Sequence, residues 1–134
     1  MANVHTDVAG PDPIGTVRRT TFAVALFLGG TFSAQAGVED GKVSYARGDY
    51  GAAFREWLHV AAAGDARAQH VVGLMYSIGE GVRRDDVQAH TWIDLAAANY
   101  SSPTNRHRAA RFRQRIAARL SPEHLQRARH MAAA

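Results

Sequence analysis

From Val38 onward the apolar residues recur every three to four positions in short blocks, and no stretch alternates apolar and polar as a strand would. The blocks predict six helices: Val38–Arg47 and Tyr50–Ala63, Ala66–Ile78 and Asp86–Asn99, Pro103–Leu120 and Pro122–Ala132. Gly48-Asp49, Gly64-Asp65 and the run from Gly79 to Asp85 separate the first four. In each, glycine suits a helix C-terminus and aspartate caps the helix that follows. Ser102-Pro103 and Ser121-Pro122 open the last two, a cap followed by a residue whose fixed φ fits the first helical turn.

Small residues mark where helices must touch. Ala68, Gly73, Ala89, Ala96 and Ala97 let axes approach to the lower end of the ~8–10 Å range. Glycine in a helix interior costs ~1 kcal/mol against alanine, so Gly73 predicts a neighbouring helix crossing at that point. Val72, Tyr76, Val87, Trp92 and Leu95 supply bulk around these contacts. Gly79 and Gly81 permit positive φ in the turn, and Val82 is expected to fold back as an apolar plug. A helix pair of this kind leaves apolar surface that only similar neighbours on either side bury.

The second pair partly repeats the first. Asp49/Asp85, Ala53/Ala89, Ala61/Ala97 and Ala62/Ala98 all match at an offset of 36 residues, with Trp57 and Trp92 in mid-helix. That spacing is close to the roughly 34-residue period of tetratricopeptide repeats. The central unit resembles the Sel-1-like repeat, a solenoid cousin. Ala68, Val72-Gly73, Tyr76, Gly79, Gly81-Val82, Asp85, Ala89, Trp92 and Ala96-Ala97 stand at its signature places. Val72 replaces the usual leucine, and Tyr100 stands where a glycine normally closes the unit. The resemblance implies an all-α fold: a short right-handed α-solenoid of three antiparallel helix pairs, used as a platform for other proteins. Small bacterial members are linked to envelope, signalling or host-contact roles.

The N-terminal part reads differently. Residues 16–36 have the layout of an export signal: Arg18 and Arg19, an apolar core from Thr21 to Phe32, then Ala34-Gln35-Ala36 before a cleavage bond between Ala36 and Gly37. That core falls short of the ~20 residues a spanning helix needs, so no permanent membrane span is expected. Residues 1–15 lack periodicity and contain Pro11 and Pro13, which predicts a disordered extension. Residues 37–134 would then be a periplasmic or secreted domain. The chain contains no cysteine, which excludes disulfides, thiol catalysis and thiolate metal sites.

Charge is segregated. From Gly37 to Tyr100 there are six Lys/Arg against nine Asp/Glu, and from Ser101 to Ala134 eight Arg against Glu123 alone. On a helical wheel Ala109, Phe112, Ile116 and Leu120 form an apolar stripe, with Arg108, Arg111, Arg115 and Arg119 beside it. Such a ridge suits bidentate contact with carboxylates or phosphates. Its competing explanation is a solvated face that keeps the end of the stack soluble.

Other chemistry is weakly signalled. The seven histidines lack ligand spacing; His90 and Asp94, at i and i+4, read as a surface hydrogen-bonded pair rather than metal ligands. Serines sit in turns and caps without a nucleophile elbow, and Gly79-Glu80-Gly81 lacks the Lys-Ser/Thr of a phosphate loop. No cofactor, metal or catalytic centre is expected, and no aromatic platform for nucleic acid accompanies the arginines. The expectation is an exported adaptor that binds other proteins, through acidic segments, or anionic envelope polymers. A cell-wall-related enzyme or small-molecule binder, and a structural subunit assembling head to tail, stand as alternatives.

Overall fold

The computed structural model describes residues 31–134, and among them every regular element is a helix. They form α1 (Thr31–Ala46), α2 (Tyr50–Ala62), α3 (Ala66–Ile78), α4 (Asp86–Asn99), α5 (Pro103–Ala117) and α6 (Pro122–Ala133). The expected extension at 1–15 and the export signal up to residue 30 lie outside the described residues. α1 already includes the residues ahead of Val38, because Ala34-Gln35-Ala36 propagates a helix well and no cap interrupts it. The bond between Ala36 and Gly37 therefore falls inside α1.

The caps account for the other helix starts. Asp49 accepts from Ala52 N–H, Asp65 from Arg67 and Ala68, and Asp85 from Val87 and Gln88. Ser102 and Ser121 accept from Asn105 and His124, each ahead of a proline at the first turn. α3 ends on Gly79 in the left-handed region, whereas α4 stops without such a residue. Tyr100 there is extended (φ −66°, ψ 126°), which turns the chain directly toward the Ser102 cap.

Residues Ala34–Ala134 make one compact unit with two buried groups of side chains. In the first, Val38 of α1 meets Phe54, Trp57 and Val60 of α2 and Val72 and Met75 of α3, with Val82 packed against them from the loop. The second joins Ala89 and Ile93 of α4 to Ala109 and Ile116 of α5; Tyr76 touches both groups. The Trp57 indole N–H donates to the Val38 carbonyl (3.2 Å) across the α1–α2 contact.

Gly73 is where α3 and α4 cross. A Cβ there would stand 2.6 Å from Ile93 Cγ1 and 3.1 Å from the Ala89 carbonyl oxygen. Gly81 is a second close approach, with φ +70° and its α-carbon against the Tyr50 carbonyl at the start of α2.

α4 is the central helix, packed on α3, α5 and α6. Within the expected α5–α6 pair, α6 makes its close approach to α4. The reason lies in Ala128, fully buried and small, which brings the two backbones together. Thr91 Oγ1 lies within hydrogen-bond distance of the Ala128 carbonyl (3.3 Å) and of Val87 O in its own helix (2.9 Å).

Candidate functional site

The apolar stripe of α5 decides where its arginines go. Ala109 and Ile116 are fully buried, with Phe112 and Leu120 packed at the edge of the same group. Arg108, Arg111 and Arg115 are consequently exposed. The Arg115 guanidinium lies over the Phe112 ring, 5.3 Å from its centroid, a cation–π contact that restrains it. Arg111 and Arg115 line one shallow depression of about 320 Å³ with Gln114 and Ala118.

Arg119 does not belong to this ridge. α5 ends at Ala117, and the following backbone tightens to three-residue spacing: Arg119 N–H donates to Ile116 O and Leu120 N–H to Ala117 O. Three residues per turn instead of 3.6 rotates Arg119 off the stripe. Its guanidinium pairs with Asp86 (2.8 Å), whose other oxygen meets Arg84 at 3.2 Å. It lines a different cleft, of about 440 Å³, beside His124 and Arg127. The four-arginine ridge is thus three arginines and one structural ion pair.

The His90–Asp94 surface pair is also corrected. Asp94 is engaged by Arg113 of α5, and His90 is only 3 % exposed. With α4 contacted by three helices, no solvent stripe remains wide enough for His90. Its ring lines a cleft of about 370 Å³ with Asp94, Arg113, Gln114, Ala117 and Arg129. Sequence reasoning missed this site, and its one available signal was that His90 adjoins Ala89 and precedes Ile93 by three positions on the core-facing side.

The residues that carry the repeat resemblance sit at helix contacts and turns. Ala68, Gly73, Ala89 and Ala96 are buried at helix contacts; Tyr76, Val82, Trp92 and Ala97 are half-buried around them. Asp85 caps α4, and Gly79 and Gly81 take positive φ. Asn99 donates to Gln69 Oε1 (2.9 Å), and the Tyr100 hydroxyl shares a hydrogen bond with His70 Nδ1 (3.2 Å), tying the end of α4 to α3.

Burial holds the pKa of His70 below its ordinary 6.5. It does the same for His90, where the attraction of Asp94 opposes the lowering and Arg113 and Arg129 reinforce it. An unfolded chain takes up these protons as pH falls below about 6.5, while the native chain resists them. Their contribution to stability is therefore complete above that pH and is lost progressively as pH falls toward the lowered native values. The thermal midpoint is expected to drop between about pH 7.5 and about pH 5, with a shallower slope in His90→Gln. An unchanged slope in that variant would remove His90 from the account.

Among the described residues, no group of three or more His, Asp or Glu is placed to hold a metal ion. None of the described helices is long and apolar enough to cross a membrane. Comparison with protein-family models, with curated proteins and with solved structures finds no match to this chain.

Proposed function

We propose that the chain is an exported helical-repeat adaptor of the Sel-1-like type, which holds an acidic protein segment against the outer face of α5. The observation that carries this reading is the Arg108, Arg111 and Arg115 face. The three guanidinium groups are exposed, and among the described residues the ion pairs reach Arg113 and Arg119 but none of these three. Arg111 and Arg115 share one depression, and Phe112 restrains Arg115 there, so less side-chain freedom is lost on binding.

The test is titration of a labelled poly-glutamate peptide into the full chain at low and high salt. Binding is expected to weaken steeply with salt and to fall at least about tenfold in Arg111→Glu/Arg115→Glu, while His59→Ala leaves it unchanged. Equal affinity in the double reversal would remove the α5 face from the proposal. Export is tested separately by sequencing the secreted protein, which should begin at Gly37.

Charge segregation favours a second reading, head-to-tail assembly of the acidic front of one copy on the basic end of another. That assembly requires a size that grows with concentration and collapses in salt, so a strict monomer in sedimentation would end it.

A further inference from the structure

His90 is the one described residue with a buried side-chain nitrogen, Nδ1, that finds no hydrogen-bond partner. Buried polar atoms are almost always satisfied, and an exception calls for a ligand group or water that the protein itself does not supply. The ring stands at the wall of the cleft that α4, α5 and α6 enclose together. Asp94 shares its helix, Arg113 and Gln114 come from α5, and Arg129 comes from α6. These are the charged groups that face His90 from each element around it.

The charges in this cleft do not balance. Arg113 is committed to Asp94. Arg129 is exposed and has no acidic partner among the described residues. One positive charge therefore remains, and His90 adds a second when it takes a proton. The complement is a single negative charge with two oxygens in one plane, which a guanidinium fork accepts in parallel. While His90 is neutral, a dianion would bring one charge more than Arg129 can offset. At about 370 Å³ the cleft has the volume of roughly a dozen liquid waters, enough for a carboxylate on a ring or short chain.

We propose that the α4–α5–α6 cleft is a binding site for a small carboxylate, anchored by Arg129 and assisted by His90 and Gln114. This site adjoins the outer arginine face of α5, since Gln114 lines both depressions, but its charged groups are different ones and it does not depend on the adaptor reading. Two sources share the chemistry, a free organic acid and the terminal carboxylate of a peptide.

Calorimetric titration of the full chain with benzoate, benzamide and inorganic phosphate tests it, alongside a short peptide with a free or an amidated C-terminus. Benzoate is expected to bind and benzamide not to. The affinity for benzoate should rise severalfold from about pH 7.5 to about pH 6 as His90 is drawn toward its protonated form. Arg129→Gln should weaken benzoate at least about tenfold with helicity unchanged, since that side chain is exposed. His90→Gln should flatten the pH dependence, and Arg111→Glu/Arg115→Glu should leave benzoate binding as it was. A free peptide end that outcompetes benzoate assigns the macromolecular source; benzoate binding without it assigns the free acid. Absence of benzoate binding, equal binding of benzamide, phosphate binding as tightly as benzoate, or full affinity in a folded Arg129→Gln chain would each overturn the proposal.

Discussion

Gly81→Ala is expected to destabilise the chain by ~2–5 kcal/mol, a large effect for one methyl group. Two costs combine. With φ at +70°, any side chain pays the left-handed strain of ~1–2 kcal/mol. The new Cβ also runs into the Tyr50 carbonyl group, 2.6 Å from its carbon, and stands 3.1 Å from Met75 Cε. Peptide atoms of a helix start do not rotate aside as a side-chain tip does, so the loop or α2 must shift, adding an overpacking cost of ~1–3 kcal/mol. Gly48→Ala is the matched control, with a similar φ of +78° and nothing within 4 Å of the added methyl. It should lose only the conformational part. Urea denaturation of both variants separates the terms, and equal losses would mean that Gly81 merely makes a turn. Against a total stability of ~5–15 kcal/mol for a domain of this kind, the difference is easily measured.

Ile93→Ala is expected to cost ~2–5 kcal/mol, because the side chain is fully buried and leaves a cavity between α3, α4 and α5. Gly73→Ala should also destabilise, by ~1–3 kcal/mol, even though alanine is the better helix former. The informative measurement is the double variant. The atoms nearest the added methyl are Ile93 Cγ1 and Cδ1, at 2.6 and 2.7 Å, and Ile93→Ala removes both. The double variant should therefore lose less than the sum of the two single losses, by more than ~1 kcal/mol. Strict additivity would mean that α3 and α4 do not meet at this point.

Helix limits were legible wherever a side chain closes its own local hydrogen bonds. Asp49, Asp65, Asp85, Ser102 and Ser121 each cap the helix that the sequence places after them, and α3 and α4 run over the same residues in the structure as in the sequence reading. The crossing at Gly73 was legible for a related reason: a glycine that weakens its own helix has to be compensated by something outside it. What a helical wheel does not contain is the number of neighbours around each helix. His90 looked solvent-facing because its own helix offered a carboxylate one turn on, but α5 and α6 both close over that side. Arg119 looked like the fourth member of a ridge because the wheel assumes constant pitch, and the pitch tightens after Ala117. The docking of α6 on α4 depends on a single alanine among charged neighbours, too little apolar pattern to choose a partner.

The hydrogen bond from the Trp57 indole to the Val38 carbonyl gives α1 a built-in optical reporter. If the chain is trimmed at the Ala36–Gly37 bond, the new ammonium lies one residue before Val38, beside the acceptor that polarises the indole. Glu39 and Asp40 then stand in the opening turn, where carboxylates offset both that ammonium and the helix dipole. Maturation would accordingly be visible as a shift in the emission of one tryptophan, with Trp92, on α4, as the internal reference.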